Sequence, residues 1–151
     1  MAQVKRIMIH CTAEPANVLH TKKYYRHLFF VSNGWRHWGY HALIYQDGSW
    51  DVLQALPKFV NNVGMIDDTT MANGCKGAND STLHIAYVGG LDPQTRKPKD
   101  TRTDAQKQTL LQLVHLFKIK YNVNEVIGHH DWPRVTKECP CFDARKEYEN
   151  V

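Results

Sequence analysis

Two short segments concentrate the side chains that can bind a metal. His10, Cys11 and Thr12 end one apolar run. His129, His130 and Asp131 end another, with Cys139 and Cys141 close behind. Imidazole nitrogen and thiolate sulfur are donors that zinc accepts readily. Three of them with a fourth position left to water make a catalytic site, whereas four protein donors make a structural one. If the two strand ends lie side by side, each supplies an imidazole to one ion and a cysteine completes the set. Spacing alone leaves a second reading open, in which these are polar strand-end residues and buried free thiols of the kind most unpaired cysteines are.

Such a site needs strands that end where those residues stand. Residues 4–10 carry Ile7, Met8 and Ile9 and read as a strand. Residues 21–32 place Tyr24, Leu28 and Val31 at helical spacing, with Asn33-Gly34 as the stop. Residues 40–46 and 49–55 flank Asp47-Gly48, a two-residue turn that favours a hairpin. Residues 57–81 are rich in Asn, Asp, Gly and Thr and read as a long irregular segment with a binding role. A strand over 83–88 ends at Gly89-Gly90. Thr103 and Gln106 form a capping box for a helix whose apolar face is Leu110, Leu113, Val114, Leu116 and Phe117, running to about Lys120. A strand over 123–128 and a polar helix over 143–149 complete the order β-α-β-β-β-α-β-α. The expected fold is α/β: a single domain with a central mixed β-sheet flanked by helices and a zinc site at strand ends.

Composition excludes several alternatives. A chain of 151 residues fits one domain over residues 1–151. With 42% hydrophobic residues and a net charge of +4 it is not a disordered chain. Four cysteines are too few for a disulfide-built scaffold. No run approaches the ~20 apolar residues of a membrane span. The first ten residues lack the apolar length and small-residue cleavage site of a secretory signal, so cytoplasmic accumulation is expected. Nineteen basic residues against fifteen acidic ones form no basic block, so nucleic acid is not the expected partner. A mildly cationic surface suits another anionic polymer, including a cell wall.

Four blocks of sequence carry a resemblance. They are Ile-Met-Ile-His-Cys-Thr-Ala (7–13), Trp-Gly-Tyr-His-Ala-Leu-Ile (38–44), Tyr-Val-Gly-Gly-Leu-Asp (87–92), and Gly-His-His-Asp-Trp-Pro with Lys-Glu-Cys-Pro-Cys-Phe-Asp (128–143). In order and spacing the chain resembles the zinc N-acetylmuramoyl-L-alanine amidases of phage-lysozyme type, relatives of the peptidoglycan recognition proteins, from about residue 5 to 148. The resemblance implies zinc held by His10, His129 and Cys139, with Tyr40 and Lys137 as catalytic residues. It implies hydrolysis of the amide between the lactyl group of N-acetylmuramic acid and L-alanine of the stem peptide. It further implies a peptidoglycan substrate, a monomer without membrane contact, and action on the wall after release. Two alternatives are a peptidoglycan-binding module without catalysis and a phage regulatory protein that binds a polymerase. Non-catalytic relatives typically lack the cysteine, so Cys139 counts against the first; no residue here marks a partner surface for the second.

The chemistry suits those assignments. A tetrahedral oxyanion needs a donor or a cation beside the metal, and Tyr40 offers a phenol while Lys137 offers a point charge. Two neutral imidazoles and one thiolate leave zinc a net single positive charge. Among the neighbours, His130 is expected to face away from His129, Cys141 to stay off the metal and Cys11 to pack in the core. Trp35, Trp38 and Trp132 either line a groove or pack. Asp131 is a candidate to orient a metal donor. The chain also departs from the family pattern. Gly74-Cys75 stands where a histidine and a small residue are common, and His84 where a glycine is common. Cys139 stands ten positions after His129. The segment 61–80 is therefore expected to shape specificity.

Overall fold

The computed structural model describes residues 1–151. Its first elements are β1 (Ala2–Gln3), β2 (Arg6–Cys11), β3 (Glu14–Pro15) and α1 (Lys22–Arg26). Then come β4 (Ala42–Ile44), β5 (Trp50–Val52), β6 (Lys58–Val60), β7 (Val63–Ile66), β8 (Thr82–Tyr87) and β9 (Gly90–Leu91). The chain closes with α2 (Asp104–Tyr121), β10 (Glu125–Gly128) and α3 (Ala144–Glu147). The central sheet has the order β10-β2-β8-β4-β5. Its first four strands run parallel and β5 is antiparallel, giving the mixed α/β sheet that the sequence order implies. The antiparallel edge comes from the Asp47-Gly48 turn, where Gly48 takes φ +86°.

Strand alternation divides this sheet into two unlike faces. Ile7, Ile9 and Cys11 of β2 join Leu83, Ile85 and Tyr87 of β8 beneath Leu110, Leu113, Val114 and Phe117 of α2. Each large side chain buried there contributes about 1.5–3 kcal/mol over its exposed state. α2 starts at a complete capping box. Gln106 N–H donates to Thr103 Oγ1 at 3.1 Å, and Thr103 N–H donates to Gln106 Oε1 at 3.0 Å. The same Gln106 amide donates to the carbonyls of Val88 and Ile44, tying the helix start to the sheet. Asn122, left-handed at φ 51°, ends the helix.

Three local expectations need correction. Leu116 is 49% exposed, because it lies about 100° around the helix from Phe117 and outside the buried stripe. In the first helix Tyr25 and Phe29 are the buried residues, while Tyr24 and Val31 face solvent. Tyr25 and Phe29 are four residues apart, an equally regular helical spacing, and the Tyr25 hydroxyl donates to Glu14 Oε1 at 2.6 Å; the backbone widens into a π-type turn only after Tyr25, over His27–Ser32. The segment 57–81 is not wholly irregular: β6 and β7 form a hairpin inside it, and β7 pairs with β1. Its turn is Asn61-Asn62, both at positive φ (51° and 66°), the backbone that tight hairpins demand.

Candidate metal centre and groove

The face of the sheet opposite α2 carries Met8 and His10 of β2 and His84 and Ala86 of β8, all buried. Parallel pairing sets Gly128 of β10 beside Ile9 of β2, so the next residues, His129 and His10, come together. Their ring centroids lie 4.7 Å apart. Cys139 reaches the same place on the loop that follows. His130 N–H donates to the Cys139 carbonyl at 2.9 Å, and Pro140 packs on Gly128. A Cβ at Gly128 would stand 2.7 Å from Pro140 Cδ, so the loop's close approach requires glycine there. Cys11 N–H donates to Cys139 Sγ at 3.2 Å, which holds the sulfur beside the end of β2.

The donor atoms of His10, His129 and Cys139 all lie within 4.8 Å of one another, and His10 Nδ1 is 3.9 Å from Cys139 Sγ. A tetrahedral zinc with ordinary bond lengths sets its donors about 3.3–3.7 Å apart. The three side chains therefore fit one such ion after small rotations, and this group can hold a metal. The neighbours are engaged elsewhere. Cys141 Sγ donates to the Gly90 carbonyl at 3.4 Å and lies 4.0 Å from Cys11 Sγ. Cys11 itself packs on the α2 side. Asp131 Oδ2 accepts from Gly128 N–H at 2.8 Å and caps the short helical turn His129–Asp131. His130 sits in that turn rather than on an extended strand, with Nδ1 3.2 Å from the Glu138 carbonyl. Its separation from His129 is helical, not the strand alternation the sequence implies.

Burial sets the protonation of this cluster. Desolvation holds His10 well below the usual histidine range, helped by the charges of His129 and Lys137. His129 is pulled down to about 4 by desolvation and then by Lys137. Both rings are neutral at pH 7 and keep a lone pair for a metal. Tyr40 stands beside His10, with ring centroids 5.3 Å apart, and desolvation pushes its phenol well above the usual tyrosine range. Its hydroxyl therefore remains a donor. The partner is the Cys11 carbonyl at 3.5 Å, a bond at the limit of reach that can be exchanged for a better acceptor.

A groove of about 1060 Å³ opens at His129. Residues 73–77 and 132–137 form its walls, with Trp35 at one end and Lys76, Arg134 and Lys137 supplying positive charge. Of the three tryptophans considered above, Trp35 and Trp132 line it. Trp38 packs edge-on against Phe29 and Phe30 instead.

The family profile described as N-acetylmuramoyl-L-alanine amidase matches residues 1–142. The chain belongs to this family. The amidase is 27% identical over 147 residues to an endolysin of Klebsiella phage KP32, covering 97% of this chain and 87% of that one. Its fold matches the N-acetylmuramoyl-L-alanine amidase LysC from Clostridium intestinale URNW with TM-score 0.69 and 21% identity, covering 97% of this chain and 82% of that one. Bumblebee PGRP-SA matches with TM-score 0.70 and 18% identity, covering 99% and 83%. The amidase is thus a peptidoglycan hydrolase of endolysin type. No helix in it is long and apolar enough to cross a membrane.

Two histidines of the amidase have site positions that the motifs did not assign. His41 joins β8 to the segment after β7: its Nε2–H donates to the Thr70 carbonyl at 2.7 Å, and its Nδ1 accepts from His84 N–H at 3.0 Å. His84 touches His10 directly, with His10 Nε2 2.8 Å from His84 Nδ1. The available signal was the paired departure at Gly74 and His84. A Cβ on Gly74 would overlap the His84 ring, so a side chain at 74 and the histidine at 84 exclude each other here.

Proposed function

We propose that this amidase hydrolyses the bond between the lactyl group of N-acetylmuramic acid and L-alanine, with zinc held by His10, His129 and Cys139. The observation that carries the reading is the His, His, Cys donor set at the mouth of a groove of about 1060 Å³. A zinc ion bound there supplies Lewis-acid polarisation of the carbonyl and lowers the pKa of water to about 7. Tyr40 donates a hydrogen bond to the oxyanion that develops on the carbonyl oxygen. Lys137, whose charge already acts on His10 and His129, adds a cation at the same place. Lys76 and Arg134 on the groove walls attract the carboxylates of a stem peptide. The amidase works as one domain over residues 1–151 and as a monomer, reaching the wall after release from the cell that makes it.

Purified protein incubated with muropeptides, followed by mass spectrometry of products and metal analysis, tests this. The expected result is free L-alanine amino termini together with about one zinc per chain. Intact muropeptides in the presence of stoichiometric zinc would overturn the catalytic reading.

A further inference from the structure

The metal-facing nitrogen of His10 is selected by a hydrogen-bond chain that begins at the groove wall. Asn79 Oδ1 accepts from the backbone N–H of Cys75 at 2.8 Å, which identifies that atom as the oxygen of the amide. The same oxygen lies 2.9 Å from His84 Nε2, so His84 Nε2 must carry a proton. A neutral His84 then has a bare Nδ1, and that atom faces His10 Nε2 at 2.8 Å. His10 Nε2 must therefore be the donor, and His10 Nδ1 is left with its lone pair, pointing at Cys139 Sγ. Each link has one consistent direction. His84 and His10 are both essentially without solvent contact, so water cannot substitute for a missing partner.

We infer that His84 and Asn79 are positioning residues for the metal centre, fixing the His10 tautomer and ring orientation through one continuous chain of hydrogen bonds. Metal-binding imidazoles ordinarily give their second N–H to a carboxylate, a carbonyl or water. Here a second imidazole takes that role and passes the constraint to Asn79. Gly74 makes room for it, since a side chain there would occupy the space of the His84 ring. The loop that carries Cys75 and Asn79 also walls the groove, so the substrate side and the metal side share an anchor. This rests on the assignment of His10 as a zinc donor.

Long-range proton–nitrogen NMR on the metal-free wild-type chain at neutral pH reads the tautomers without any variant or activity. Both His84 and His10 are expected as Nε2–H forms. A His10 ring protonated at Nδ1 would overturn the inference. Zinc affinity, measured by competition with a chromogenic chelator, supplies the second readout. Asn79→Ala should weaken zinc by about 10–100-fold, the usual cost of losing an outer partner, while the metal-free chain stays folded with a lowered melting temperature. Asn79→Asp keeps an acceptor for both donors and should retain more zinc affinity than Asn79→Ala. Equal affinity in the Ala variant, or equal weakening in both, would also defeat it. A wild-type chain that takes no zinc would remove the metal assignment itself, whereas zinc-dependent hydrolysis with the wrong His10 tautomer would remove this inference alone.

Discussion

On one face of the central sheet Ile7, Ile9, Leu83 and Ile85 lie under α2; on the other, their chain neighbours His10 and His84 meet ring to ring. The same strands build both faces, and both are closed to water. Their cohesion differs in kind. The α2 face is held by non-directional burial, which tolerates exchange of one apolar shape for another at modest cost. The histidine face also buries apolar groups such as Met8, Ala86 and Ile127, but its histidines are held by hydrogen bonds that each require a particular atom and proton, and no buried side-chain nitrogen or oxygen lacks a partner. The first kind of packing sets stability, and the second sets chemistry.

Substitutions should separate the two faces. The largest effect is expected at the donors: His10→Ala, His129→Ala or Cys139→Ala should abolish muropeptide hydrolysis and deplete zinc, while Cys141→Ala retains both. Metal analysis alongside a hydrolysis assay reads this, and retention of zinc without Cys139 would mean that another thiolate binds. On the α2 face, Phe117→Ala should cost about 3–5 kcal/mol in denaturant unfolding and leave zinc stoichiometry unchanged. Loss of zinc from the folded variant would show that the faces are coupled. Lys137→Ala should lower kcat by about 10²–10³, or roughly 2.7–4 kcal/mol, with zinc and wall binding unaltered. Tyr40→Phe should lose the same or less. Wild-type turnover in Lys137→Ala would reduce that residue to a surface charge.

Acid should distinguish the faces last and most gently. His41 is fully buried and titrates at about 4 in the folded protein, below the unfolded value of 6.5. Between those pH values the unfolded chain binds more protons, so stability falls as pH drops from 6.5 towards 4. For His41 the loss is about 3 kcal/mol over that window. His10 and His84 shift in the same direction. Melting curves of the metal-free chain at pH 7.5 and 4.5 measure the difference, and His41→Asn should flatten it. An unchanged slope in that variant would place the acid sensitivity elsewhere.

Much of this was legible in residues and spacing. The strand ends at His10 and His129, the capping box at Thr103 and the hairpin at Asp47-Gly48 each carry a local signal strong enough to survive tertiary context. Tyr25 and Phe29 were not legible, because Tyr24 and Tyr25 each start an apolar stripe at helical spacing and the choice between them lies in tertiary contacts such as the Tyr25 bond to Glu14. The 58–66 hairpin hid behind Asn61-Asn62, which composition reads as loop although positive φ suits asparagine in a tight turn. Gly74 and His84 were visible as departures, but their compensation exists only across space. Asn79 had no signal of its own; its role depends on which atom of its amide meets Cys75.

The parallel pairing of β10 with β2 has a consequence for the order of events in synthesis. His10 is translated early, yet β2 gains its β10 neighbour only after residue 128, and Cys139 comes later still. A nascent chain can pair β2 with β8 and still lack two of the three donors. Contacts of this sequence separation form late because the loop must close before they repay its entropy. On the proposed zinc assignment, a chain that stops before residue 139 can fold in part without the complete donor set, and hydrolysis is expected only from chains that extend past Cys139.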